Sequence, residues 1–178
     1  MSGSQFDPKR YYRIFNPVSN STLTLGHNAT EPPPPLALIA IGYFPSENWQ
    51  LFYDDGVYFI RNHEYGSRYQ LGLNSSDQST PSMMDTGSGL GMQWNITTMD
   101  GDNGVWELKN LFVAQTNVLA LGSGFLNMKV PVMNTDQTAG KWIIGINPSA
   151  SNVSDSMMSP FPSPQVDLNK TLFHLDIN

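Results

Sequence analysis

Few residues in this chain are of a type and at a spacing that does chemistry. Its three histidines, His27, His63 and His174, share no metal-ligand spacing. There is no cysteine, which removes thiolate catalysis, cysteine zinc sites and disulfides. Asp54 and Asp55 stand together in a DDG turn signal, where general acid–base work is not expected. DGDNG at 100–104 imitates the start of a calcium loop, but the twelfth position, which needs a bidentate Glu, is Leu111. A hairpin explains that stretch better. GSGLG at 87–91 has the glycines of a phosphate cradle without a βαβ setting. GSGF at 122–125 supplies no nucleophile elbow. One loop, HEYGSRY, gathers groups suited to touching a ligand: His63, Glu64, Tyr65 and Arg68. As a solvated turn it also requires no function. No catalytic set, metal site or cofactor site emerges, so an enzyme is not expected.

The elements that would position such residues repeat. Aromatic-x-apolar-x-Asn occurs at Tyr12/Ile14/Asn16, Tyr58/Ile60/Asn62 and Trp106/Leu108/Asn110. A Leu-Gly step follows each, at Leu25-Gly26, Leu71-Gly72 and Leu121-Gly122. A Pro before an apolar stretch comes next, at Pro35, Pro81 and Pro131. Trp with an apolar residue two places on closes each unit, at Trp49/Leu51, Trp94/Ile96 and Trp142/Ile144. The same order recurring three times marks an internal repeat. Each landmark alternates as a strand does, and no segment carries a 3.6-residue stripe. Four short strands per unit, three units and turn signals at the joins predict an all-β fold, a β-trefoil of three four-stranded repeats with pseudo-three-fold symmetry. A three-bladed propeller would be cramped. The aromatic and the Trp of each unit are expected in the core, and the Asn at each strand end is expected to shape a turn.

Composition agrees. Charged residues are only 13% of the 178, against 39% hydrophobic, with 15 Gly and 13 Pro. A net charge of −6 with no basic patch speaks against nucleic acid. The start, MSGSQFDPKRYY, is too polar for a signal peptide, and the run LALIAIGYF at 36–44 is too short to span a membrane. Six sequons, at Asn20, Asn28, Asn74, Asn95, Asn152 and Asn169, lean toward an extracellular or cell-surface setting. The trefoil is expected over 1–148, with repeats at about 10–54, 55–101 and 102–148. Residues 149–178 read as a Ser/Pro/Asn-rich tail or linker, whose last piece, TLFHLDIN, alternates weakly as an added edge strand or a disordered end would.

The order strand, Leu-Gly, apolar strand, Trp motif resembles the ricin B-type lectin domain. Fungal members beginning with a Phe-Asp-x-x-x-Tyr-Tyr stretch, as in FDPKRYYRIFN, are the most similar. The resemblance covers roughly residues 6–148. The family's Gln-x-Trp motif is degenerate: Glu47-Asn48-Trp49, Met92-Gln93-Trp94 and Gly140-Lys141-Trp142 stand in its place. The resemblance implies sugar binding through an Asp on the second strand, a stacking aromatic and a nearby amide. Here the Asp positions hold Thr24, Gln70 and Ala120, a departure that bears on galactose-type binding. A stacking ring is on offer in the first lobe alone, at Tyr43, with Asn48 beside it. The carbohydrate site implied is Thr24, Tyr43 and Asn48 with His27 nearby, and in the second lobe Gln70, His63 and Tyr65. The expected function is a non-catalytic, glycan-binding lectin domain without cofactor or metal. Two alternatives stand beside it: a protein-binding trefoil such as a protease inhibitor, acting through the long loops at 27–35 and 74–90, and the exposed head of a larger membrane-anchored protein. Oligomeric state is open.

Overall fold

The computed structural model describes residues 4–26, 35–99, 104–124 and 128–158. Twelve strands run through them in three groups of four. The first is β1 (Tyr12–Asn16), β2 (Ser21–Leu25), β3 (Leu36–Ile39) and β4 (Trp49–Asp54). The second is β5 (Val57–Asn62), β6 (Tyr69–Gly72), β7 (Ser82–Asp85) and β8 (Trp94–Thr98). The third is β9 (Val105–Asn110), β10 (Val118–Ser123), β11 (Lys129–Asn134) and β12 (Trp142–Ile146). Outer strands of each group form a closed barrel in the order β1-β4-β5-β8-β9-β12, with β12 returning to β1. Inner strands form the hairpins β2–β3, β6–β7 and β10–β11. This is the β-trefoil that the repeat predicts. Barrel closure leaves these six strands no free edge.

The repeated residues show why the sequence folds this way. Trp49, Trp94 and Trp142 are fully buried. Their indole N–H groups donate to the carbonyls of Leu23, Leu71 and Leu119 at 2.9, 2.9 and 2.6 Å, tying each barrel strand to the hairpin of its own lobe. Asn16, Asn62 and Asn110 are fully buried too. Each amide N–H donates across the lobe boundary, to Ala139, Ser46 and Gly91, the residue three before a Trp in every case. Each amide oxygen accepts a backbone N–H two residues on, from Val18, Glu64 and Phe112. One side chain thus shapes the turn and joins two lobes. Gly91 is a close approach: a Cβ there would collide with the Leu73 carbonyl oxygen.

At the joins, Asp55 and Gly56 both have positive φ, 43° and 92°, and make the two-residue turn between β4 and β5 that DDG signals. The expected hairpin at DGDNG joins β8 to β9, but residues 100–103 lie outside the described residues. Phe6 stands at the barrel end and packs on Tyr12, Tyr58 and Trp106 with ring centroids 5.3, 5.7 and 4.7 Å away. Trp106 differs from its counterparts. Tyr12 and Tyr58 are buried, whereas Trp106 is half-buried against Phe6.

The segment expected as a loose tail begins instead as a packed strap. Val153 and Met157 are buried against Tyr11. Arg61, fully buried on β5, donates through Nη1 to the Met157 carbonyl at 2.7 Å, and Gln50 Nε2 donates to the same oxygen at 3.1 Å. Val153 N donates to the Lys9 carbonyl at 3.0 Å. The reason is a buried cation that needs acceptors once removed from water. Burial pushes the Arg61 guanidinium down to about 10. TLFHLDIN at 171–178 lies outside the described residues.

Candidate functional site

The loop from β3 to β4 carries the most exposed aromatic among the described residues, Tyr43, at 88%. Its flanks Ile41 and Phe44 are exposed as well, while Ser46 and Glu47 behind it are fully buried. Pro45 opens a 3₁₀ turn over 45–47, where a Pro costs no hydrogen bond. Glu47 reaches back from that turn. Its carboxylate accepts Gly42 N at 3.1 Å and Phe44 N at 3.2 Å, and lies 3.5 Å from Arg13 Nε. Arg13 Nη2 donates to the Gly42 carbonyl at 2.6 Å, and its guanidinium sits 5.8 Å from the Tyr43 ring centroid. A buried acid and a base on β1 therefore grip both sides of Gly42 and hold the ring out into solvent.

The other expected residues are placed differently. Thr24 is fully buried, and its hydroxyl donates to Ser46 Oγ at 2.8 Å. Asn48 is buried, and its amide oxygen accepts Asn147 Nδ2 at 2.6 Å. Gln70 is fully buried, with Nε2 donating to the Gly87 carbonyl, while its Oε1 has no partner. These three polar groups occupy the expected positions in the lobes but are turned into the protein. At two of the positions where the resemblance implies an Asp, an uncharged Thr24 and Gln70 stand, and an uncharged side chain is buried at far lower cost than a carboxylate.

His63 is exposed, packs edge-on against Tyr11 at 4.9 Å, and donates its backbone N–H to the Asn48 carbonyl at 2.9 Å. The fold thus brings the first-lobe Asn48 and the second-lobe His63 side by side. Tyr65 is half-buried, edge-to-face with Tyr69 at 5.7 Å; burial and the neighbouring Glu64 and Tyr69 push its phenol up. Arg68 lies over the Tyr69 ring at 5.5 Å. His27 lies outside the described residues. Among the described residues, no group of His, Asp and Glu could hold a metal ion.

Arg13 was not singled out in the sequence, and Glu47 only as a degenerate motif position. Glu47 had a signal: an acid three residues after Phe44, with Pro between, is the spacing of a capping box. Arg13 had none, because its partners lie 29 residues and more along the chain.

A second exposed loop is held by its own side chains. Asn74 Oδ1 accepts Ser76 N and Asp77 N at 2.9 and 2.7 Å. Asp77 Oδ1 accepts Ser79 N and Thr80 N at 2.9 and 3.0 Å. The bonds from Ser79 lead in holding the Asp77 carboxyl down to about 2.

No family model matches the chain, and no curated protein matches it in sequence. Solved structures do match in shape. The designed three-fold symmetric protein ThreeFoil superposes with a TM-score of 0.62 at 16% identity, covering 77% of this chain and 98% of that one. The Macrolepiota procera ricin B-like lectin, solved with lactose, gives 0.61 at 16%, covering 79% and 98%. SeviL, solved with the asialo-GM1 saccharide, gives 0.57 at 18%, covering 76% and 96%. At such identities the likeness is one of fold, and by fold the chain is a β-trefoil.

Proposed function

We propose that this β-trefoil is a non-catalytic carbohydrate-binding domain whose sugar stacks on Tyr43. The observation that carries the reading is the locked loop: a ring 88% exposed, backed by a cation and fixed by a buried carboxylate. A pyranose offers a C–H face to such a ring, and a ring already fixed loses little freedom on binding. The two neighbours solved with saccharides support the reading at the level of the scaffold. Thr24 and Asn48, both turned inward, pack beneath the loop through Ser46 and Pro45, whereas Gln70 is turned inward in the second lobe. Hydroxyl contacts fall to the exposed part of Arg13 beside the ring. A glycan array on the purified chain is expected to give hits that Tyr43→Ala abolishes. Hits that survive Tyr43→Ala, or none at all, overturn it.

A second reading has its own observation. The 74–80 loop is exposed and pre-ordered by hydrogen bonds from Asn74 and Asp77, which suits a protein partner in the manner of a protease inhibitor. Inhibition of papain-like or trypsin-like proteases that is lost with Asp77→Ala is the expected result; no effect at micromolar concentration sinks it.

A further inference from the structure

The β3–β4 loop has a property that sugar stacking does not use. Residues 40–45, Ala-Ile-Gly-Tyr-Phe-Pro, contain no charge, although the chain carries −6 overall. Ile41 is 55% exposed and Phe44 50% exposed, on either side of Tyr43. Five of the loop's backbone polar groups are drawn inward. Gly42 N and Phe44 N donate to the Glu47 carboxylate, Gly42 O accepts from Arg13, Phe44 O accepts Glu47 N, and Pro45 O accepts Asn48 N. Such a loop presents apolar side chains outward with those main-chain groups already satisfied. An apolar environment demands this of any backbone that enters it.

We propose that Ile41, Tyr43 and Phe44 form a contact with the interfacial region of a neutral lipid bilayer. Three observations favour lipid over a protein partner. The side chains project rather than line a groove. Taking a full aromatic side chain as about 200 Å², they offer roughly 300–400 Å², well short of the ~800 Å² per partner of a specific protein interface. Tyr43 joins an apolar body to a polar tip, the chemistry that favours the water–hydrocarbon boundary. With no Lys in the loop and a net negative chain, attraction to anionic head groups is not the driving force, so the contact belongs to zwitterionic lipid.

The proposal stands apart from sugar binding, because free saccharide in solution tests that reading and sugar-free vesicles test this one. The probe is a phosphatidylcholine vesicle. The full chain is expected to co-sediment with these vesicles equally at low and high salt. The double variant Ile41→Ser, Phe44→Ser is expected to lower the partition coefficient at least ten-fold with an unchanged melting temperature. Phe44→Trp in the otherwise native chain, compared with the parent, is expected to add a fluorescence component quenched by brominated phosphatidylcholine. Absence of that component's quenching, partition unchanged in the double variant, or binding that salt abolishes overturns the proposal.

Discussion

Replacing Glu47 by Gln tests whether the exposed loop is held from beneath. The amide has nearly the shape of the carboxylate but keeps a single acceptor oxygen. Glu47 serves Gly42 N, Phe44 N and Arg13 from a fully buried position. Both N–H groups bond to Oε1, and Gly42 N reaches Oε2 as well, so in E47Q an amide oxygen in the Oε1 place still accepts both, while the NH2 group takes the Oε2 place against the Arg13 guanidinium. Each of the two bonds loses its charge assistance, at about 0.5–1 kcal/mol, and the partly exposed contact with Arg13 adds about 0.2–1 kcal/mol. The expected loss is therefore about 1–3 kcal/mol. For a domain of this size that is roughly 2–12 °C in melting temperature. Urea unfolding monitored by tryptophan fluorescence measures it, with an unchanged m-value showing that the denatured state is the same. If Tyr43 binds sugar, affinity falls with the loop order, tenfold for each ~1.4 kcal/mol needed to restore the bound geometry. A stability change below about 0.5 kcal/mol, the size of an ordinary surface substitution, refutes the claim that Glu47 holds the loop.

Phe6→Ala removes the ring that touches all three lobes and is expected to cost about 3–5 kcal/mol in chemical denaturation, as for other buried Phe sites. Met157→Ala, which leaves its carbonyl on Arg61, is expected to cost about 2–5 kcal/mol; a loss under 1 kcal/mol would mean that the strap is not docked. Asp77, held at about 2 against an ordinary 3.8, contributes order to its loop that is fully present above pH 4 and lost as pH falls through about 2. Carboxyl NMR should find that midpoint, and a titration near pH 4 would contradict the hydrogen bonds to Ser79 and Thr80.

The repeat was legible because it is written in residues whose jobs are local and periodic. Tyr12, Ile14 and Asn16 alternate along one strand, and Asn16 can be expected to shape the next turn from its place alone. What stayed illegible was pairing across the chain. Nothing in FDPKRYY says that Phe6 meets Tyr58 and Trp106, because that contact exists once the barrel has closed. Residues 149–158 read as a tail on their Ser and Asn content, yet two apolar residues four apart, Val153 and Met157, dock them. The candidate site was legible in part. The repeat order puts Thr24 on β2 and Gln70 on β6, but order along the chain does not say that both side chains are buried. Tyr43 stands out in the sequence because a ring in a loop after a strand is a local feature; the Arg13–Glu47 grip on its loop is not.

The pairing of β1 with β12 has a consequence during synthesis. Tyr12 is matched to Ile146, so the first strand leaves the ribosome more than a hundred residues before its neighbour exists. At about 5–20 residues per second, that wait is on the order of ten seconds or more. Throughout it, β1 presents an open edge carrying Tyr12, Ile14 and Phe15 to every other nascent chain nearby. The crowded moment for this protein is therefore its birth, and the yield of folded chains should respond more to translation speed and to holding chaperones than to substitutions in the finished surface.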